Sequence, residues 1–347
     1  MQTNATAHTG QSTTPAKPRN GVLALSGYGI RVAIERRQLV CSDGIGRARR
    51  SSIFARATSG LLRLVVVGHT GQISFEALRW LHDIGAAFVQ IDADGDVIVV
   101  SAPTKLDSAR LRRSQALAAF NGTGTAIARS LLHDKMSGQF HVVGRLPDSN
   151  DARPTIQSAI DALKTTHEPD RLRLLEASAA GAYWGAWADV PLLFARKDAA
   201  ALPEHWRAFG RRSSPISGAP RLAANPANAL LNYCYAILEA ECRIAALTIG
   251  LDPGMGILHV DQPSRDSLAL DLMEAVRPDV DADVLAMLGD RTFSARDFVE
   301  TRAGVCHVLP PLTQTLCEYM PRWRALVAPV AERVAQTLAD SPSPTGV

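Results

Sequence analysis

The chain has 347 residues, of which 46% are hydrophobic and 20% charged, and a formal net charge of +3 at neutral pH. That length is more than one small core supports and suits two domains, and the composition is that of a folded chain, not a disordered one. No apolar run approaches the roughly 18 residues that span a bilayer, and five cysteines without a CxxC pair exclude a disulfide framework and a zinc ribbon and suit a reducing cytoplasm.

Taken in chain order, residues 1–20, MQTNATAHTGQSTTPAKPRN, carry no apolar segment of a secretory signal and read as a disordered polar tail. Residues 21–103 read as a small β-rich domain. Ile30, Val32 and Ile34 alternate with Arg31, Ala33 and Glu35, the period of a half-buried strand. LRLVVV (62–67) and AFVQI (87–91) are short buried strands, and DADGDV (92–97) is a tight turn, since Gly95 accepts a positive φ. Between the strands SFEALRWLHDIG predicts one helix, opened by Ser74 and closed by Gly85.

A hinge is expected at 103–107, and residues 104–340 then read as a larger all-α domain, giving an α+β fold overall. DRLRLLEASAAGAYWGAW (170–187) is an apolar helix whose central acid, Glu176, shares a face with Leu172, Ala179, Ala180 and Tyr183. NPANALLNYCYAILEAECRIAALTIGLDP is the best-signalled helix: Asn225 caps it, Pro226 occupies its first turn and Gly250 stops it. Its polar ladder of Asn228, Asn232, Tyr235 and Glu239 suits either an exposed face or a wall behind an active site.

Chemistry concentrates in GILHVDQPSRDSLALDLMEAVRP (256–278). A helix beginning near Ser264–Ser267 is expected to end about Arg277, because Pro278 follows. Within it Asp271 and Glu274 emerge on one face, with roughly 5–6 Å between Cβ atoms. His259 arrives from LDPGMGILH, a turn with Pro253, Gly254 and Gly256 that can fold the imidazole back onto the acids. Carboxylates suit Mg²⁺, and an added imidazole shifts preference toward Mn²⁺. Each residue has an ordinary alternative: a structural histidine, a solvated acid face, and for Glu176 an ion pair with Arg173. Charge is uneven along the chain. Residues 1–102 carry 11 Lys and Arg against 7 Asp and Glu, residues 103–222 carry 17 against 11, and residues 223–347 carry 9 against 16. A basic middle beside an acidic last third suits a polyanion held next to a cation site.

From about Val22 to Leu338 the chain resembles the CRISPR-associated integrase family Cas-one (Cas1). The likeness rests on LLEASAAGAYWGAW, NPANALLNYCYAIL and GLDPGMGILHVDQPSRDSLALDLMEAVRP, in that order. Ala177 stands where the family commonly has glycine, and Asn225 where aspartate often precedes the proline; both changes keep size or capping ability. The resemblance implies a β-rich N-terminal domain, a helical catalytic domain, and a homodimer working with a small companion, Cas-two (Cas2). It implies Glu176, His259 and Glu274 as ligands of Mg²⁺ or Mn²⁺, with Asp271 supporting the site. The implied reaction is metal-dependent joining of the 3′-hydroxyl ends of short DNA fragments into a CRISPR repeat array, with endonuclease activity on branched DNA beside it. Arg112, Arg113, Arg207, Arg211, Arg212 and Arg221 are the candidate phosphate contacts. Rival readings are a stand-alone or transposon-associated integrase of the same core, disfavoured by the few residues after Leu338, a catalytically silent DNA-binding scaffold, and an unrelated metal phosphohydrolase.

Overall fold

The computed structural model describes residues 17–44, 49–102, 106–146, 151–199, 201–212, 222–259 and 261–341. The β-rich part holds eight strands: β1 (Val22–Ser26), β2 (Ile30–Glu35), β3 (Gln38–Asp43), β4 (Arg50–Phe54), β5 (Arg63–Val67), β6 (Gly71–Ile73), β7 (Ala87–Ile91) and β8 (Val97–Ser101), with α1 (Phe75–Asp83) between β6 and β7. They form two sheets, in the orders β1-β5-β7-β8 and β4-β3-β2-β6. In the first, β1, β5 and β7 run parallel and β8 returns antiparallel. Its two faces enter different cores. Leu23, Leu25, Leu64 and Phe88 meet Val32, Leu39, Cys41 and Trp80 from the second sheet and α1. Val22, Val65, Val67, Val89 and Ile91 face the helices. Burial on both sides is why β5 and β7 read as mainly apolar, with Leu64–Val67 and Ala87–Val89 continuous, rather than as alternating strands.

The expected helix and turn are present. The Ser74 hydroxyl accepts from Ala77 N, and Gly85 takes φ +72° just past α1. Asp92 accepts from the N–H groups of Asp94 and Asp96 in the β7–β8 turn. One boundary moves. Ordered backbone begins before Gly21, since Arg19 bridges to Val22 and pairs with Glu318; residues 1–16 lie outside the described residues, as do 103–105 of the expected hinge.

The helical part comprises α2 (Ala109–Ala118), α3 (Gly122–Val143), α4 (Ala152–Leu163), α5 (Pro169–Ala186), the short α6 (Arg196–Ala199), α7 (Pro226–Ile249), α8 (Ser267–Asp290), α9 (Leu312–Cys317) and α10 (Met320–Ala339). Four short strands interrupt it: β9 (Leu193–Phe194) beside β10 (Thr292–Phe293), and β11 (Phe298–Glu300) beside β12 (Cys306–Val308). None was expected from the sequence, because two or three residues carry no period. A β-rich first part followed by a helical second is nonetheless the architecture, and among the described residues no helix is long and apolar enough to cross a membrane. The five cysteines are free and buried.

Helix α7 is the central post. Asn225 caps it through Asn228 N, and Gly250 ends it at φ +83°. Its polar ladder does not face solvent: Asn228 and Tyr235 are buried. Glu241 of α7 takes both ends of the Arg63 guanidinium, at 2.8 and 3.0 Å, and so pins β5 to the helices. Bidentate geometry is what lets such a pair persist in the interior.

Helix α8 corrects an expectation. It does not stop at Arg277 but runs through Pro278 to Asp290. A mid-helix proline removes one N–H and frees the carbonyl four residues earlier, here that of Glu274. Packing offsets the loss. Pro278 is buried against Gly138 of α3, where a Cβ would stand 2.6 Å from the proline Cβ. Glycine at 138 is therefore a condition of the α3–α8 crossing. Gly138→Ala is expected to cost about 1–3 kcal/mol through overpacking, in spite of alanine's better helix propensity. Urea denaturation checks this, and unchanged or higher stability would refute so close a crossing.

Candidate active site

The acids and the histidine lie around one cleft of about 410 Å³, lined by Leu132, Lys135, Arg173, Glu176, Leu258, His259, Gln262, Arg265, Glu274 and Arg277. Helix α5 supplies Glu176, α3 supplies Lys135, and α8 supplies Asp271, Glu274 and Arg277. A larger hollow of about 940 Å³ lies in the β-rich part among Arg36, Arg37, Arg56, Arg79 and Phe75. It contains one acid, Glu76, and no histidine, so the chemistry belongs to the smaller cleft.

His259 is placed by its loop. The Gln115 side chain, buried on α2, holds the start of the loop through Asp252 and the Met255 carbonyl. Gly256 then passes so close that a Cβ would meet the His259 carbonyl at 2.3 Å and Ser267 Cβ at 2.6 Å. Asp271, wholly buried, closes the turn: it accepts from the N–H groups of Leu258 and His259, each at 2.9 Å, and also from that of Ile257. Its Oδ1 lies 2.6 Å from His259 Nδ1. A carboxylate facing the ring accepts, so Nδ1 carries a proton, and in the neutral imidazole Nε2 is then the nitrogen with the free lone pair. Nε2 stands 3.9 Å from Glu274 Oε1.

Asp271 and Glu274 thus differ sharply although they share a helix face. Asp271 has its oxygens filled by the loop. Glu274 has Arg277 on Oε1, while its buried Oε2 finds no hydrogen-bond partner with proper geometry. Lys135 Nζ does approach Oε2, at 2.6 Å; that contact is an ion pair without hydrogen-bond alignment. The same ammonium hydrogen-bonds Glu176 Oε1. Burial pushes the Glu274 pKa up, but Arg277 and Lys135 outweigh it and hold the carboxyl down at about 2. Burial opposes the charge on Lys135 too, and Glu274 and Glu176 overcome it, holding its pKa above the ordinary lysine value. Both groups are ionised at neutral pH.

The acids therefore gather as the sequence suggested, but around an ammonium. Among the described residues no three acid, cysteine or histidine side chains form a ready ligand shell as they stand. The donor chemistry still fits a divalent cation: two carboxylates that meet at one point, and an imidazole whose Nε2 faces Glu274. Glu176 does not pair with Arg173, which pairs with Asp170 instead.

The arginine candidates separate. Arg112 pairs with Asp107 beside α2, and Arg113, Arg207 and Arg211 are exposed. None of these lines the cleft. Arg221 lies outside the described residues. Arg212 is a correction, because it turns inward, bonds Asn232 at 3.2 Å and stacks over Trp184 and Tyr235; a guanidinium held between two rings does not reach a phosphate. The cations at the cleft are Lys135, Arg173, Arg265 and Arg277, none of them foreseen. Lys135 had a legible signal, since it falls on the core-facing stripe of Ala128, Leu131, Leu132, Met136 and Val142, where a lysine needs a reason.

Behind the cleft, Tyr183 of α5 and Tyr235 of α7 donate to Asp281 of α8 at 2.7 and 2.6 Å, and Arg277 lies over the Tyr235 ring. Burial raises the Asp281 carboxyl to about 6, against the pull of the two hydroxyls and Arg212. Because the folded value is raised, this group's contribution to stability is full below about pH 4 and is lost as pH rises through 6. Asp281→Asn is expected to gain melting temperature relative to the unsubstituted protein between pH 5 and pH 8, and a constant difference across that range would refute the assignment. For Asp271→Asn, an amide must turn one N–H toward donors. The expected cost is about 1–3 kcal/mol, with faster hydrogen exchange at Ile257, Leu258 and His259; unchanged protection would mean that the loop does not depend on this carboxylate.

Residues 23–317 match the family model described as "CRISPR associated protein Cas1". The chain is 31% identical over 307 residues to the CRISPR-associated endonuclease Cas1 1 of Archaeoglobus fulgidus, covering 82% of this chain and 83% of that one. Its fold is similar to that of a casposase bound to integration product, with a TM-score of 0.75 at 22% identity, covering 93% and 92%. It is also similar to a chain of a Cas6-RT-Cas1–Cas2 complex, with a TM-score of 0.69 at 14% identity, covering 96% of this chain and 36% of that one.

Proposed function

The chain belongs to the Cas1 family, and from that premise we propose that it is a metal-dependent DNA endonuclease and integrase that joins short DNA fragments into a CRISPR repeat array. The observation that carries this reading is the pairing of an acidic cleft floor, Glu176 and Glu274 with His259 Nε2 beside them, with the cationic wall of Arg173, Arg265 and Arg277.

Glu176, Glu274 and His259 Nε2 are the residues that would hold Mg²⁺ or Mn²⁺. When bound, such a cation polarises the scissile phosphate and favours the ionised form of the attacking hydroxyl. The chain's own share is positioning and charge. Asp271 keeps the imidazole in the tautomer that leaves Nε2 unprotonated, and Arg277 keeps Glu274 ionised. The cleft arginines offset the charge that accumulates on phosphate oxygens. In the joining step the 3′-oxygen of the fragment gives up its proton and bonds to phosphorus, while the bond to a 3′-oxygen of the target strand breaks and that oxygen takes a proton. One phosphodiester replaces another, so no nucleotide cofactor is required.

Duplex DNA is the proposed partner, with Arg112, Arg113, Arg207 and Arg211 among its phosphate contacts on exposed surface outside the cleft. A homodimer acting with a Cas2 companion is proposed on the family resemblance. A casposase-like insertion of whole elements is the second reading, favoured by the likeness of fold to a casposase; the preferred target, repeat array or unrelated duplex, separates the two.

The test is strand transfer of a labelled fragment into a supercoiled repeat plasmid with Mg²⁺ or Mn²⁺. Glu176→Ala, His259→Ala and Glu274→Ala are each expected to lower joining by ~100-fold or more, with DNA binding largely retained. A fragment ending in a 3′-deoxy sugar is expected not to join. Undiminished joining by all three variants would refute the site.

A further inference from the structure

Lys135 has no part in the joining step described above, yet it is the group around which the acids assemble. Its side chain is 9% exposed, and its ammonium touches Glu176 and Glu274 at once. It reaches them from the core-facing stripe of α3, one turn before the Gly138–Pro278 contact that sets how near α3 comes to α8. This is a built position. A lysine buried to that extent stays charged only because two carboxylates face it.

Shared coordination by Glu176 and Glu274 requires a divalent cation roughly 2.0–2.6 Å from an oxygen of each. The Lys135 ammonium stands 2.6 Å from Glu274 Oε2 and within hydrogen-bond reach of Glu176 Oε1. A divalent cation bridging those two oxygens would take the ammonium's place, and two cations cannot share it in a site of low dielectric. The lysine stem is flexible, and the cleft opens toward Arg173, Gln262 and Arg265. We propose that the Lys135 ammonium is a tethered counter-ion for the acid pair, held by Glu176 and Glu274 in the metal-free protein and displaced into the cleft by the divalent cation. This rests on the metal-dependent reading of the site. It means that the two acids are neutralised without metal, so the fold does not depend on the cation, and that each cation bound must first break an internal ion pair.

The experiment compares the unsubstituted protein with Lys135→Met and Lys135→Gln, using Mn²⁺ as the probe. Binding is read by electron paramagnetic resonance, and melting temperatures are taken with and without the ion. Both variants are expected to melt lower than the unsubstituted protein when metal-free, to bind Mn²⁺ ~10-fold more tightly or better, and to gain more melting temperature from it. Folded variants with equal or weaker Mn²⁺ binding overturn the proposal, while the metal reading survives if Glu176→Gln weakens Mn²⁺ binding in the same assay. Absence of Mn²⁺ binding in the unsubstituted protein and both variants overturns the metal reading and this proposal together. A measurement independent of variant folding uses the unsubstituted protein with ¹⁵N-labelled lysine. The Lys135 ammonium resonance is expected to shift in step with Mg²⁺ titration, and a resonance unmoved at saturating Mg²⁺ overturns the proposal.

Discussion

The crossing of α3 and α8 is the constraint on which the site depends. Where they touch, α3 offers only a hydrogen at Gly138 and α8 presses the Pro278 ring against it. Lys135 lies three residues before that contact on one helix and Glu274 four residues before it on the other, each about one turn away. Close approach of the backbones therefore forces a cation and an anion into the same small volume. Helix α5, packed on α3, adds Glu176 as the third charge. Were the helices apart by the width of a side chain, these groups would be solvated singly, and no shared electrostatic site would exist.

Around that crossing the same residue type is put to different uses by its surroundings. Asp271 is an acceptor saturated by a loop, so it organises rather than binds. Glu274, one turn on, is ionised by two cations yet has an oxygen short of a hydrogen-bond partner. Asp281, two turns further, has tyrosine hydroxyls for company, and burial favours its neutral form. Arg277 and Arg212 stack on Tyr235 and carry positive charge into a layer otherwise built of aromatic rings. The gradient runs from ion pairs at the cleft to a hydrogen-bonded acid of raised pKa behind it, as the falling access to water requires.

The β-rich part is not an independent appendage. Its first sheet contributes one whole face to the helical core, and the buried Arg63–Glu241 pair joins β5 to α7. Helix α7 thereby links that junction at Glu241 to Tyr235 under the cleft, less than two turns away. The position of the helices around the cleft is referred through this one helix to the sheet.

Much of this was legible in the residues themselves. Caps and stops at Ser74, Gly85, Asn225 and Gly250 are local chemistry, decided by the few N–H groups and φ angles at each helix end, and the structure keeps them. The run of His259, Asp271 and Glu274 was visible as a pattern because helix spacing sets which side chains share a face. Pattern could not tell which acid the loop would consume, nor that α8 would run through Pro278, because both follow from partners distant in sequence. Lys135 stood in plain view on a core stripe, but its meaning required α3, α5 and α8 to meet. Arg212 looked like any arginine of a basic stretch until the rings of Trp184 and Tyr235 closed on it. Local sequence determines which groups a segment presents; only the packing of helices decides which opposite charges are forced together out of water, and it is that shared burial that turns three acids, a histidine and a lysine into one site.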